Sequence, residues 1–360
     1  MFLQHIILPC IYQVACIQKV NPNLLVFADF HNDQVPYSME DLYLQLQSGQ
    51  YEVMGVFHDE HQHNLFSNVK YMFRFMILYA RSSHVFICDN FLPVSSCRKR
   101  IQTKVIQLWH GPGAFKKFGY DTTRDIPHIY RGNVYKNYNI ITTSAPHCNP
   151  YFESAMRAKK GTAQALGISR SDRFLNEAYK EECRQVFDTK YPNYSQNKIA
   201  LYAPSFRGNA SNMEEMDVSC IANLQKELGD EWIVLIQLHP HMMKRYAIQT
   251  DIPTERLLPV VDVLITDYSS ILFEYLLLKK PLVLYAPDLG SMIASDEFYL
   301  DYYSIPAEIV EDNNDLAKAV IRQGETNAYV DQVDAFLELY MSACDGHSIE
   351  RLLRVLELYE

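Results

Sequence analysis

The chain has no uninterrupted apolar run approaching the ~18 residues that a membrane-spanning helix requires. Residues 1–17 are moderately apolar, but they carry neither a basic leading segment nor a small-residue cleavage site, which argues against a secretory leader. The eight cysteines, at 10, 16, 88, 97, 148, 183, 220 and 344, form no CxxC pair and no zinc-type spacing. Scattered in this way they read as reduced, mostly buried thiols of a cytoplasmic protein. An excess of positive charge is also lacking. The net charge of −10 over 360 residues counts against a nucleic-acid partner, which calls for a basic surface. There is no GxGxxG and no GxxxxGK followed by Ser or Thr, so dinucleotide oxidoreductases and P-loop NTPases are disfavoured. The Asp-x-Asp pair that many nucleotide-sugar transferases use to hold a divalent ion is missing, as are repeats and low-complexity tracts.

What remains is an ordinary globular composition, 48% hydrophobic and 21% charged. A chain of 360 residues exceeds what one core usually serves, so two domains are expected. Basic residues cluster at Arg98-Lys99-Arg100 with Lys104, which reads as a solvated face, and at Lys116-Lys117.

The pattern alternates strands and helices. Strands are expected at 24–28, 51–57, 85–88, 105–109, 140–143, 199–203, 233–238, 260–265 and 282–285. A helix is expected from Ser38, with Asp41 in capping-box spacing, and another over 65–80, packed on the core or lying on a membrane surface. Further helices fit 151–156, 179–190 and 270–278. Turn chemistry at 191–197 helps place a domain boundary between 165 and 195. The expected architecture is α/β, with two parallel-sheet nucleotide-fold halves facing a cleft.

Four of these strands stop abruptly at small, polar or basic residues, where ligands bind in open α/β sheets. Trp109 leads into His110-Gly111-Pro112-Gly113, and Ala203 into Pro204-Ser205-Phe206-Arg207. Leu238 meets His239-Pro240, and Ile265 meets Thr266-Asp267-Tyr268-Ser269-Ser270. The last of these opens a helix whose hydroxyls and free backbone N–H groups suit a pyrophosphate. Capping by Ser269 or Ser270 is compatible with that role. Glu274, one turn in, lies where it could accept from a ribose. His110 is placed for general-base work, with glycines permitting close approach. Arg207 can grip phosphate oxygens, with Ser205 beside it. The tract His58-Asp59-Glu60-His61-Gln62-His63 has metal-ligand residue types, but it reads as a solvated loop, so no metal is expected.

These segments resemble the CDP-glycerol glycerophosphotransferases of teichoic-acid-type polymer synthesis. Trp109-His110-Gly111 with Lys116-Lys117-Phe118-Gly119 is similar to that family's W-H-G…K-K-x-G loop, and Tyr202 to Arg207 to its Y-A-P-T-F-R. Leu238-His239-Pro240 and the stretch from Asp262 to Ser270, followed by Lys280-Pro281, match further family motifs, and Tyr340 to Gly346 resembles its closing segment. Gly111-Pro112-Gly113 departs from the more usual G-T-P, Ser205 stands in place of Thr, and Ser304-Ile305-Pro306-Ala307 in place of the usual Pro-Gly.

The resemblance implies a GT-B-like fold: an acceptor-side domain (1–175) carrying the His110 loop, a CDP-donor domain (176–345) and a C-terminal helix (346–360). It places His110 and His239 on the family's two functional histidines. Ser205, Arg207, Thr266, Asp267, Ser269, Ser270 and Glu274 would face the donor, while Gly111, Lys116 and Lys117 would face acceptor or phosphate. The implied reaction passes glycerol phosphate, or a related polyol phosphate, from CDP-glycerol to a hydroxyl of a lipid-linked or polymeric acceptor. CMP is released and no cofactor takes part. Attachment to the inner face of the cell membrane is implied as well. The competing readings are a GT-B nucleotide-sugar glycosyltransferase and a silent membrane-associated binding subunit.

Overall fold

The computed structural model describes residues 2–126, 130, 132–205, 208–209, 212–213, 219–237 and 250–358. The chain divides into two compact units, Met1–Asp172 with Tyr340–Glu360, and Arg173–Leu339. Residues 340–345, which the resemblance grouped with the donor domain, lie with the first unit, and 173–175, grouped with the acceptor side, lie with the second.

In the first unit six parallel strands are ordered β2-β1-β3-β4-β5-β6. They are β1 (Asn21–Asp29), β2 (Glu52–Phe57), β3 (Ser82–Ile87), β4 (Lys104–Gln107), β5 (Ile140–Thr142) and β6 (Ala163–Gln164). Alternate residues of β1 face opposite ways, as strand geometry dictates. Leu24, Val26 and Ala28 pack with Leu8 and Tyr12 of α1 (Leu8–Ala15) and with Tyr71, Phe75 and Met76 of α3 (Leu65–Arg81). Leu25 and Phe27 pack on the other face against Leu42 and Leu46 of α2 (Glu40–Ser48). That face also receives Leu352, Leu353 and Leu356 from the C-terminal helix (Ser348–Leu356). Each such leucine contributes roughly 1.5–3 kcal/mol by burial. Asp172 seats this helix, its carboxylate oxygens accepting from Ser348 N at 3.1 Å and Ile349 N at 3.0 Å.

The second unit holds five parallel strands in the order β8-β7-β9-β10-β11. Their ranges are β7 (Lys198–Tyr202), β8 (Trp232–Ile236), β9 (Val263–Thr266), β10 (Leu282–Tyr285) and β11 (Glu308–Val310). One face packs on Leu224 and Leu228 and on Leu316, Ala319 and Val320 of the helix Asn313–Thr326. Elsewhere in the unit, Phe273 stacks on Phe336 at 5.6 Å.

β1 begins at Asn21 rather than Leu24 and β3 spans Ser82–Ile87 rather than 85–88, and three further local expectations shift. The helix after β1 begins as a 3-10 turn at Tyr37–Met39, and no capping box forms. Ser38 Oγ instead accepts from Arg170 Nη1 at 2.9 Å. β4 ends at Gln107 rather than Trp109, because Trp109 turns to φ 59° and donates its N–H to the Gln107 side chain. β9 begins at Val263 rather than Val260, since the N–H groups of Val260 and Val261 close the preceding turn on Leu257 O.

Candidate active site

Both sheets share the doubly wound order in which the chain runs to opposite sides of its first strand. Ligand crevices in such sheets form at that switch point, beyond the carboxyl ends of the strands. In the first unit the switch lies between β1 and β3, and Asp29, His31 and Asp89 sit just there. Asp29 Oδ2 accepts from His31 N at 2.9 Å and Asn32 Nδ2 at 2.8 Å. Cys88 Sγ lies 3.8 Å from Asp29 Oδ1. Burial pushes the Cys88 thiol far above its ordinary range, and the Asp29 and Asp89 carboxylates add to this, so it stays protonated.

His110 follows β4, next along the sheet. Its side chain is 48% exposed, with Nδ1 3.1 Å from Cys88 O and 3.7 Å from Asp89 Oδ2. A backbone carbonyl can only accept, so Nδ1 carries a proton there, and in the neutral ring Nε2 is the nitrogen left with a lone pair. The Trp109 ring stacks on the imidazole at 4.5 Å and packs on Phe118 at 4.8 Å and Phe152 at 5.8 Å. A positive φ is a genuine outlier for so bulky a residue, and strain of this kind concentrates at functional sites. Buried Gln107 ties the loop down, its Nε2 donating to Asp89 O and its Oε1 accepting from Trp109 N, both at 2.9 Å. Gly111 is buried beside the histidine, while Lys116 and Lys117 are half-buried further along the loop.

In the second unit the switch lies between β7 and β9. Asp267 is buried there, with Oδ1 accepting from Ser205 N at 2.6 Å and Tyr268 N at 2.5 Å. Thr266 is fully buried and donates to Ala203 O at 2.6 Å. Its hydroxyl therefore joins two strand ends and is committed to the framework. Tyr302 donates to Asp267 O at 3.1 Å. Ser269 and Ser270 are half-buried ahead of the helix Ile271–Leu277, and Glu274 is buried on it rather than solvated. Ser269 Oγ accepts from Ile271 N at 3.5 Å, a weak cap. Ser205, Thr266 and Asp267 are thus brought together. Arg207 and His239 lie outside the described residues.

Among the described residues, two groups have the residue types and spacing for a cation: His31, Glu60 and His61, and Asp33, His58 and His63, each with ligand atoms within 4.8 Å. In the second group His58 is already engaged. Its Nε2 lies 2.7 Å from Asn68 Oδ1, and its ring stacks on His63 at 4.4 Å. In-plane lone pairs of stacked rings do not converge on one ion. The first group is the more open.

Sequence reasoning overlooked His31, Asp89 and Gln107. For Asp89 the signal was present, since it follows a strand just as His110 does, but without the topology nothing marked β3 as flanking the switch point.

Two doubly wound units, each with polar side chains gathered at its switch point, define a GT-B-like α/β protein. The chain belongs to the CDP-glycerol:poly(glycerophosphate) glycerophosphotransferase family, whose model matches residues 10–358. It is an enzyme of that family. It is 29% identical over 363 residues to a teichoic acid ribitol-phosphate primase of Bacillus spizizenii, covering 94% of this chain and 92% of that protein. To a teichoic acid glycerol-phosphate primase of Bacillus subtilis it is 30% identical, over 77% of this chain and 74% of that one. The solved wall teichoic acid polymerase TagF matches with a TM-score of 0.77 at 20% identity, covering 97% of this chain and 93% of that one, a likeness of fold.

Proposed function

We propose that the chain transfers a polyol phosphate from CDP-glycerol, or a closely related CDP-polyol, to a hydroxyl of a lipid-linked or polymeric acceptor. His110 is the general base. Its Nε2 takes the acceptor hydroxyl proton, the acceptor oxygen bonds to the β-phosphorus, and the bond from that phosphorus to the bridging oxygen breaks, releasing CMP. The observation carrying this role is the Nδ1 contact with Cys88 O, which leaves the outer nitrogen basic. On the donor side Ser205, Ser269 and Ser270 bind the pyrophosphate, and Glu274 faces the ribose. Asp267 aligns the 205 and 268 amides rather than touching the donor. Arg207 and His239 complete the phosphate site on the strength of the motif alone. Positioned donors stabilise the charge on the transferring phosphoryl group. His110→Ala is expected to lower turnover at least ~100-fold with little change in CDP-glycerol affinity. Full CMP release by that variant would remove His110 from the chemistry.

Peripheral attachment to the cytoplasmic face of a membrane belongs to the same proposal. Among the described residues no helix is long and apolar enough to cross a membrane. Helix α3 packs Tyr71, Phe75 and Met76 inward, yet exposes Leu65, Phe66 and Ile77 with Lys70 and Arg74. Helix α1, packed on it, exposes Val14, with Ile17 just beyond at 85%, and Ile101 is 92% exposed. Arg100 Nη1 joins the 98–104 loop to the end of α1 through Gln18 O at 2.7 Å. Segments 1–28, 65–81 and 90–104 contain no Asp or Glu, in a chain of net charge −10. Apolar side chains among unopposed cations suit anionic headgroups. Sedimentation with anionic vesicles, abolished in a Phe66→Glu/Ile101→Glu variant, would support this attachment; equal sedimentation of that variant would count against it.

A further inference from the structure

Asp89 stands between two imidazoles at the switch point of the first sheet. Its Oδ2 is 3.7 Å from His110 Nδ1 and 4.0 Å from His31 Nε2, with the carboxylate 39% exposed. Oδ1 accepts from Asn90 N at 2.6 Å, which fixes the rotation of the group. Gln107 clamps the backbone of Asp89 to that of Trp109, so the carboxylate and the His110 ring are referenced to one another through a buried amide. His31 is held in turn by Asp29, through the His31 N–H.

We propose that Asp89 is a positioning residue of the transfer reaction. It holds the His110 ring with Nδ1 protonated and Nε2 outward, and it balances the positive charge the imidazole gains on taking the acceptor proton. The inference rests on His110 being the base. Cys88 O favours the same tautomer but offers only a partial negative charge, whereas the carboxylate lies just beyond hydrogen-bond distance at 3.7 Å. A modest closure as acceptor binds would bring Asp89 Oδ2 within reach of Nδ1, since catalytic hydrogen bonds are often long before substrate arrives. His31 Nε2 stands 4.0 Å from the same oxygen.

The test compares Asp89→Asn and Asp89→Glu in the wild-type and His110→Ala backgrounds, following CMP release from CDP-glycerol with a lipid-linked acceptor. Asp89→Asn is expected to lower kcat by about 10- to 100-fold at unchanged KM for donor, with Asp89→Glu restoring part of the rate. In the His110→Ala background Asp89→Asn should cost nothing further, because its effect runs through the imidazole. Wild-type kcat in Asp89→Asn, or an undiminished additional loss beside His110→Ala, overturns the proposal. A merely structural Asp89 would lower activity in both backgrounds. Independently of any variant, ring ¹⁵N shifts of His110 in the wild-type protein should report the Nδ1–H tautomer, and an Nε2–H tautomer would refute the arrangement. An active His110→Ala enzyme sinks the base assignment itself; an inactive one with a normal Asp89→Asn sinks only the role of Asp89.

Discussion

Asp267 Oδ1 lies 2.6 Å from the backbone nitrogen of Ser205, joining two loops that are 62 residues apart in the chain. The same oxygen accepts from Tyr268 N, so one buried carboxylate aligns the amides leaving β7 and β9. Asp267→Ala leaves both amides unpaired, at about 1–3 kcal/mol for each one kept from water. A lower unfolding midpoint and a raised KM for CDP-glycerol are expected. Asp267→Asn keeps an accepting oxygen and should lose less on both measures. Equal losses would mean that the charge, not the acceptor, matters.

Trp109 combines an unfavourable φ of 59° with a ring stacked on His110. Trp109→Gly relieves backbone strain of about 1–3 kcal/mol while removing the stack. Turnover should therefore fall much further than thermal stability does. Trp109→Phe keeps an aromatic face and should retain most activity. Stability and kcat falling in step in Trp109→Gly would refute the separation.

Gly167 has φ 85°, and a Cβ there would meet Ser348 Oγ at 2.1 Å and Ala343 O at 2.3 Å. The second neighbour is backbone, so the returning C-terminal segment cannot simply step aside. Gly167→Ala is expected to cost about 1–3 kcal/mol for the backbone conformation alone, and more from the clash. Limited proteolysis near the C-terminal helix, together with a lower melting temperature, would report it. An unchanged melting temperature would show that the segment can relocate.

His84 is buried in β3 beside Lys104, its register partner on β4. Burial first, and the Lys104 charge second, lower its pKa to about 4 from 6.5. The unfolded chain binds the extra proton through that window, so stability is present above 6.5 and lost as pH falls toward 4. A shift of this size corresponds to roughly 3 kcal/mol. Denaturant midpoints at pH 7 and pH 4.5 should diverge in the wild type and converge in His84→Phe. Parallel pH dependence in the two proteins would assign the acid sensitivity elsewhere.

Much of the fold can be read from local pattern. Apolar runs such as Ile199 to Ala203 and Leu282 to Tyr285 declare buried parallel strands because both faces must be dry. The helix Leu65–Arg81 declares itself by Leu65, Phe66, Val69, Met72, Phe73, Met76, Ile77 and Ala80 at helical spacing, but of these only Met76 and Ala80 are buried, and the face turned to the core runs through Tyr71, Phe75 and Tyr79. Strand and helix ends are less legible. Trp109 extends an apolar run but leaves the ladder, because a side-chain acceptor on Gln107 takes its N–H. The capping signal at Ser38 is overridden by Arg170, which is 132 residues away.

The sequence by itself determined the class of sheet, the motif loops and the family, because strand periodicity and short contiguous motifs are local properties. Only the tertiary structure decided that Asp89 stands beside His110, that Thr266 belongs to the framework, and that Asp267 ties two loops together. Those contacts depend on strand order, which sets which chain segments end side by side, and strand order is a property of the assembled sheet.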